Sequence, residues 1–353
     1  MRPAPRLAEV TAGRDNNVQA LRIAAATAVI VFHCFALTDQ WTAEPLYRLF
    51  PEVNLGVVGV QVFFALSGFL VTQSFVAHPR LRAFVSARVL RIYPALVAAT
   101  LFTVIVAGMS STLSWPDYLA HPQTRRFLWR TATGYDVTDG LPGVFLGNPF
   151  PRAANGSLWT LPVELRLYIA VALAGVAGLA WRPWALAAVI ALCCAVFAVL
   201  PWPLPFAPDN AVVRGLAVTF ALGALAYAAR ASIPLSIVAA LCAVALFVGN
   251  PGGAFRAWLL PPLLVYVVLV IAYHPRLRVR ALNRTGDYSY GLYVYAFPVQ
   301  QTLVRHFNGI EPLWLLVLTL PIVGTLAALS WHWLEQPALA LKSRFRVPQG
   351  LPS

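Results

Sequence analysis

An arginine and a histidine interrupt the first apolar stretch of the sequence, LRIAAATAVIVFHCF, which runs from Leu21 to Phe35. Arg22 and His33 are eleven residues apart, so in a helix they lie about 16 Å apart along the axis. Eleven steps of about 100° leave a net rotation of about 20°, so both side chains point the same way. Ionisable side chains inside a membrane cost about 3 kcal/mol or more and usually serve a function. One helix face therefore presents a guanidinium at one depth and an imidazole at another.

Two further arginines begin the third apolar run, in the stretch SARVLRIYPAL. Arg88 and Arg91 are three residues apart and share a helix face, so with Arg22 they can form one cationic cluster at the inner end of the spans. Arginine binds phosphate through a planar fork of donors, and such a cluster therefore suits a phosphorylated ligand. The alternative is that each arginine extends to lipid headgroups, which explains Arg88 alone more readily than it explains all three.

The fourth apolar run, GSLWTLPVELRLYIA, contains the carboxylate Glu164. Glu164 lies about six residues from the outer end of its run and His33 about five residues from the outer end of the first, so equal depth allows a His33–Glu164 pair. A carboxylate beside an imidazole raises its basicity and fixes its tautomer, as a general base requires. The alternative is a structural hydrogen bond between two helices.

Other polar residues in the apolar runs are candidates for a supporting role. Tyr93 follows the arginine pair, and Tyr290 and Tyr293 share one face of a helix that begins with DYSYGLYVYAFP. Tyrosines at such positions also form the aromatic belt of ordinary membrane helices. Ser67 lies within the second apolar run, and Glu335 closes the last run on the inner side, where it can pair with an inner arginine.

The composition places most of the chain in a bilayer. Of 353 residues, 59% are hydrophobic and only 11% are charged, with a mean hydropathy of +0.70, whereas a soluble domain has about 25% charged residues. The first 17 residues lack the apolar core of a signal peptide, so we expect the first apolar run to remain as a span. The four cysteines fall in apolar runs and form neither a disulfide framework nor a metal-ligand pattern.

Apolar runs long enough to cross a membrane predict an all-α bundle of about ten transmembrane helices. Their limits are 18–37, 56–75, 87–108, 158–180, 184–200, 211–229, 233–249, 257–273, 287–305 and 313–334. The transmembrane domain then covers residues 18–340, with a long external loop at 109–157 that is rich in glycine, proline and asparagine towards its end. A loop of that length is often functional, although it can also be a simple cover.

Basic residues predict the orientation of these spans, because cytoplasmic loops carry an excess of lysine and arginine. An N-in/C-in topology leaves only Arg48, Arg256 and Arg305 in short outside loops. It makes residues 1–17 and 341–353 cytoplasmic segments. The inside residues would be Arg2, Arg6, Arg14, Arg80, Arg82, Arg88, Arg182, Arg230, Arg276, Arg278, Arg280, Arg284, Lys342, Arg344 and Arg346. The formal charge of +13 is thus mainly a topology signal, and we expect no nucleic-acid partner.

Seven sequence blocks, in order, resemble the integral-membrane acyltransferase 3 family, which contains bacterial O-acyltransferases of surface polysaccharides and some macrolide acyltransferases. The blocks are ALRIAAATAVIVFH, GVQVFFALSGFLVT, ARVLRIYPAL, SLWTLPVE, ALGALAY, GDYSYGLYVYAFPV and WHWLEQPAL. The resemblance implies ten transmembrane helices, a cytoplasmic acyl-CoA donor and an O-acylated acceptor that is often a sugar. It maps the family's essential histidine to His33, its first arginine to Arg22, its arginine pair to Arg88 and Arg91, and its span-four glutamate to Glu164.

The chain departs from the family pattern at several positions, including Gln19 and Gln61, where many members have an acid, and Pro162, where a serine is usual. We expect an O-acyltransferase of the inner membrane that uses acyl-CoA, with acetyl-CoA as the expected donor and a glycan, a lipid-linked saccharide or a secondary metabolite as acceptor. His33 would act as general base or as an acyl relay. The alternative is a secondary transporter or flippase of a small molecule or lipid-linked glycan, which would also bury charges at mid-depth.

Overall fold

The computed structural model describes residues 4–11, 13, 15–136, 140–199, 211–250, 252–279 and 286–342. Most of the predicted C-terminal tail lies outside these residues, as do six of the arginines used to predict the topology: Arg2, Arg14, Arg280, Arg284, Arg344 and Arg346. The described part of the chain folds almost entirely as helix, and it contains an isolated antiparallel bridge between Arg6 and Pro234.

Fifteen α-helices follow one another along the described residues. They are α1 Leu7–Val10, α2 Val18–Leu37, α3 Pro45–Leu49, α4 Leu55–Ala77, α5 Leu81–Gly108, α6 Trp115–Ala120, α7 Pro122–Thr133, α8 Thr160–Val176, α9 Pro183–Val199, α10 Ala211–Ala228, α11 Ile237–Gly249, α12 Ala254–Tyr273, α13 Ser289–His306, α14 Pro312–Ser330 and α15 Gln336–Ala340. A 3₁₀ turn, Gly156–Trp159, leads into α8, and a π turn, Trp331–Glu335, joins α14 to α15.

Each of the ten predicted apolar runs falls on one of these helices. Six helical segments are long and apolar enough to cross a membrane, which makes the chain a multi-pass membrane protein. These six are Val18–Leu37, Leu55–Ala77, Leu81–Gly108, Gly156–Val176, Ala211–Ala228 and Pro312–Ala340. Shorter apolar helices cover Pro183–Val196, Ile237–Gly249 and Trp258–Tyr273.

Helix α4 forms the centre of the bundle. Within its apolar window 67% of the residues are buried, against 28% to 44% for the other five membrane-crossing segments. Its tightest contact is with α10, where a Cβ added to Gly68 would lie 2.0 Å from the carbonyl oxygen of Phe220. On the other side of the same contact, a Cβ on Gly223 would lie 2.3 Å from the carbonyl oxygen of Ala65. Small residues thus let two backbones meet, as is common between membrane helices.

The segment 109–157 begins with two helices rather than a loop. Helix α7 packs along α5 through the buried side chains Thr124, Phe127 and Thr131. At its end, the Tyr93 hydroxyl donates to the carbonyl oxygen of Thr133 at 2.9 Å. Tyr93 is fifteen residues before the end of α5, so α7 reaches about 22 Å along that helix. The turn-rich part of the segment, as predicted, shows no helix in its described residues before Gly156.

Candidate active site

An aspartate joins two of the three arginines that the sequence predicts to cluster. Asp287 directly precedes α13, and its Oδ2 lies 3.1 Å from Nη1 of Arg22 and 2.6 Å from Nη2 of Arg91. Its other oxygen accepts a hydrogen bond of 2.6 Å from the Ser289 hydroxyl. The carboxylate therefore offsets much of the cost of holding two cations inside the bundle.

Arg91 also meets a second carboxylate. Its Nη1 lies 3.6 Å from Oε2 of Glu335, whose side chain is 1% exposed. The Ser330 hydroxyl donates to the other oxygen of Glu335 at 3.0 Å. Glu335 ends the π turn between α14 and α15, and π turns of this kind occur frequently at functional sites. Glu335 thus pairs with Arg91, and a pairing of Glu335 with an arginine is what the sequence predicts.

Arg88 differs from the other two arginines. Among the residues that the structure describes, it has no carboxylate within ion-pair distance, and its Nε is buried without a hydrogen-bond partner. Its guanidinium carbon lies 5.7 Å from the centre of the Tyr168 ring and 5.9 Å from that of Phe84. Aromatic faces attract a cation but do not neutralise it. Arg88 is therefore the one of these three arginines that forms no ion pair with a described residue.

All three arginines line one cavity of about 90 Å³ among α2, α4, α5, α8 and α13. The sequence predicts that these arginines can form one cluster, and the structure places all three in the wall of the same cavity. The polar part of the wall consists of Arg22, Ser67, Arg88, Arg91, Thr160, Glu164, Tyr168, Ser289, Tyr290 and Tyr293. The remaining lining is apolar, including Val60, Phe63 and Ile92.

The carboxylate of this cavity, Glu164, is held by hydroxyl groups. Its Oε1 accepts a hydrogen bond of 2.6 Å from the Ser67 hydroxyl and another from the Tyr168 hydroxyl. The hydroxyl oxygens of Ser67 and Tyr168 are 3.1 Å apart. Tyr168 follows Glu164 by one helical turn, so the two lie on the same face of α8. The three residues, which we call the hydroxyl–carboxylate cluster, link α4 to α8.

His33 lies apart from this cavity and is not among its lining residues. Its ring meets the ring of Phe297 edge-on, with centroids 5.1 Å apart, and the ring of Phe32 at 5.6 Å. Its Nδ1 is buried without a hydrogen-bond partner. No hydrogen bond or ion pair joins His33 to Glu164 in the structure, so the pair that equal depth allowed is not formed here.

His33 and Glu164 do not lie at the equal depth that the sequence suggests, because the chain already enters the bundle before α8 begins. The side chain of Asn155 is buried and donates to the Thr103 hydroxyl at 3.2 Å and to the carbonyl oxygen of Val294 at 2.9 Å. A Cβ on Gly156 would lie 2.6 Å from the Phe297 ring, which places Gly156 near the depth of His33. Glu164 is eight residues further along, or about 12 Å deeper.

Tyr293 lines the cavity one helical turn from Phe297, the residue that contacts His33. Its hydroxyl lies 2.6 Å from the carbonyl oxygen of Ser157, to which it donates, and 2.7 Å from the Thr160 hydroxyl. Its ring packs edge-on against Phe63, with centroids 5.8 Å apart. Phe297, the neighbour of His33, follows Tyr293 by one turn of α13. We call Phe63, Thr160 and Tyr293 the partition.

The two other tyrosines predicted from the sequence occupy different places. The Tyr290 hydroxyl donates to the carbonyl oxygen of Ile92 at 3.1 Å, and its ring lies under the guanidinium of Arg91 at 5.8 Å. Tyr290 is thus part of the cavity wall. Tyr93 is not in that wall, because its hydroxyl is directed to α7.

Sequence reasoning missed Asp287, Tyr168 and Thr160 as site residues. An acid immediately before an apolar run signals a buried counter-ion, and Asp287 has that position. Thr160 and Tyr168 lie four residues before and after Glu164, so helical periodicity places all three on one face. That stripe was visible in the sequence.

Comparison with known proteins identifies the family of this chain. Residues 15–332 match the family described as an acyltransferase domain. The chain is similar to an O-acetyl transferase of Shigella phage Sf6, with 27% identity over 94% of this chain and 98% of the relative. It is also similar to nodulation protein 10 of Rhizobium leguminosarum bv. viciae, with 29% identity over 95% of this chain and 96% of the relative. No solved structure matches it significantly. The chain therefore belongs to the acyltransferase domain family and is an acyl-transferring enzyme.

Proposed function

We propose that the protein is a membrane O-acyltransferase that moves an acyl group, with acetyl as the expected one, from cytoplasmic acyl-CoA to a hydroxyl of a glycan or another envelope or secreted acceptor. Membership of the acyltransferase family and similarity to a protein named O-acetyl transferase support the acyl transfer. Acyl-CoA is proposed as the donor because the cavity is lined by three arginines, of which Arg88 has no ion-pair partner among the described residues. Coenzyme A offers phosphates to such a group.

The proposal places ten transmembrane helices in the cytoplasmic membrane with both termini inside. The six long apolar segments, the three shorter ones and α13 together supply ten helices. In this orientation the arginines of the cavity lie towards the cytoplasm, where acyl-CoA is made available, and His33 lies towards the opposite side.

In the proposed mechanism the arginines bind the phosphates and the long pantetheine arm carries the thioester towards His33. His33 takes the proton of the acceptor hydroxyl, whose oxygen attacks the thioester carbonyl carbon. The carbon–sulfur bond breaks, and the CoA sulfur takes the proton from the imidazolium. General base catalysis of this kind contributes about 10²–10⁴-fold.

In a second route, His33 itself carries the acyl group from the donor to the acceptor, with the same overall products. The imidazole nitrogen attacks the thioester, CoA leaves as its thiol, and the acyl group passes from nitrogen to the acceptor oxygen. In both routes the partition has to move, since we place it between the cavity and the surroundings of His33. Acylated enzyme trapped without acceptor would favour the relay.

The direct test uses purified protein, radiolabelled acetyl-CoA and a membrane extract from a strain lacking this protein, which retains any unacylated acceptor. We expect thiol release together with transfer of label, and mass spectrometry should find a product heavier by one acetyl group. A transporter or flippase would release no thiol, and that result would contradict the proposal.

A further inference from the structure

The polar residues of α8 lie along the cavity at regular intervals. Thr160, Glu164 and Tyr168 are spaced by four residues and all line the cavity, so they mark positions about 6 Å apart along one helix face. Tyr168 meets the guanidinium of Arg88 at one end, and Thr160 meets the hydroxyl of Tyr293 at the other. Glu164 therefore lies between Arg88 and the contact of Thr160 with Tyr293.

We propose that the hydroxyl–carboxylate cluster of Ser67, Glu164 and Tyr168 is a binding site for the pantetheine arm of the donor, separate from the phosphate site. This inference rests on the proposed function, because it takes acyl-CoA as the donor. It assigns Glu164 to donor recognition rather than to the orientation of His33.

The hydrogen bonds of the cluster leave Glu164 able to accept from a ligand. Both the Ser67 and the Tyr168 hydroxyls are directed to Oε1. An ionised carboxylate has about four lone-pair sites, so Oε2 remains available. A carboxylate repels phosphate but binds N–H donors strongly. The pantetheine arm is uncharged and carries two amide N–H groups, and it extends from the phosphates towards the thioester.

A purely structural role would explain the cluster less well. Ser67 and Glu164 are only partly buried, because both open onto the cavity. A carboxylate taken out of water costs several kcal/mol, and a neutral pair would join α4 to α8 at a lower cost. No carboxylate–arginine ion pair involving Glu164 compensates its charge among the described residues, although Arg22, Arg88 and Arg91 line the same cavity. The charge is therefore better explained by a ligand that supplies N–H donors.

Binding of the phosphates and binding of the pantetheine arm can be measured separately with two ligands used as probes. Coenzyme A carries both the phosphates and the pantetheine arm, whereas adenosine 3′,5′-bisphosphate carries phosphates but no arm. We expect Ser67→Ala and Glu164→Gln to weaken coenzyme A binding by about tenfold or more, the value of a hydrogen bond to a charged group, and to leave the affinity for adenosine 3′,5′-bisphosphate within about twofold. Titration calorimetry of the purified protein measures both.

Two further variants complete the experiment. Arg88→Ala should weaken the binding of both probes. Ser86→Ala should weaken neither, because the Ser86 hydroxyl bonds to the Arg82 carbonyl of its own helix at 2.7 Å. Retained binding of adenosine 3′,5′-bisphosphate shows that a cluster variant is folded.

Equal losses for the two probes, or no loss for either, would overturn the inference. If the unaltered protein binds neither probe, the acyl-CoA donor of the proposed function is itself contradicted, and the inference falls with it. A wild-type protein that binds both probes, with cluster variants that do not distinguish them, overturns the inference alone.

Discussion

Around the arginine cavity, charged side chains contact one another, whereas around His33 the contacts are with aromatic rings. Asp287 bridges Arg22 and Arg91, and Glu335 adds a second contact to Arg91. The His33 ring instead contacts Phe32 and Phe297, and its Nδ1 has no partner. In the proposed function the first region binds the phosphates of the donor. The second holds a partly buried imidazole, which the proposed function uses to exchange a proton with the acceptor.

The comparison predicts the largest effect at His33. His33→Ala should lower acyl transfer by about 10²-fold or more, because the proton acceptor is lost, while coenzyme A binding stays within about twofold. Label transfer and calorimetry on the same preparation measure the two quantities. His306→Ala is the matched control, since His306 is exposed and bonded to the Thr302 carbonyl of its own helix. A parallel loss of binding in His33→Ala would show that the two regions are not separate.

Substitution of Arg88 should give the next largest effect, and that effect should be confined to the binding of acetyl-CoA. Arg88→Ala should weaken acetyl-CoA affinity by about ten- to a hundredfold, the worth of one or two charge-assisted hydrogen bonds. Arg88→Lys should restore only part of it, because lysine lacks the planar fork. Arg82→Ala, an exposed arginine of the same helix, is the control. Wild-type affinity in Arg88→Ala would refute the phosphate site.

Removal of the bridging carboxylate should act on stability. Asp287→Asn leaves the charges of Arg22 and Arg91 facing each other, and breaking a partly buried ion pair in this way is destabilising. We expect Tm to fall by about 4 °C or more, as measured by thermal unfolding in detergent. Asp39→Asn, in the turn after α2, should leave Tm nearly unchanged. Equal Tm values for the two variants would mean that Asp287 does not hold the arginines.

The smallest effect should come from the partition. Tyr293→Phe removes two hydrogen bonds, each worth about 1 kcal/mol, and should let the thioester pass more easily. Hydrolysis of acetyl-CoA without acceptor should rise by a few fold. Tyr118→Phe, which also removes a buried hydroxyl, bonded to the Val104 carbonyl at 2.9 Å and outside the cavity wall, should not change it. If Tyr293→Phe hydrolyses acetyl-CoA no faster than the wild type, the partition does not limit access of the thioester to His33.

The part of the site that lies within single helices could be predicted from the sequence. The spacing of Arg88 and Arg91, and the apolar runs around them, depend only on helix geometry and hydropathy, and the structure follows both. Helical periodicity alone also places Tyr168 on the face of Glu164.

The relation between helices was harder to predict. The depth of Glu164 depends on how far the chain enters the bundle at Asn155 and Gly156, and no count of residues from the end of an apolar run contains that information. Asp287 likewise gains its role from α2 and α5, which meet it only in the folded bundle. Contacts between distant segments decide such features.

A structure with coenzyme A bound tests the central claim most directly. The account predicts phosphates beside Arg88, the pantetheine arm along the face of α8, and the sulfur at the Thr160–Tyr293 end of the cavity, towards His33. A coenzyme bound with its sulfur directed away from His33, or bound outside the arginine cavity, would contradict it.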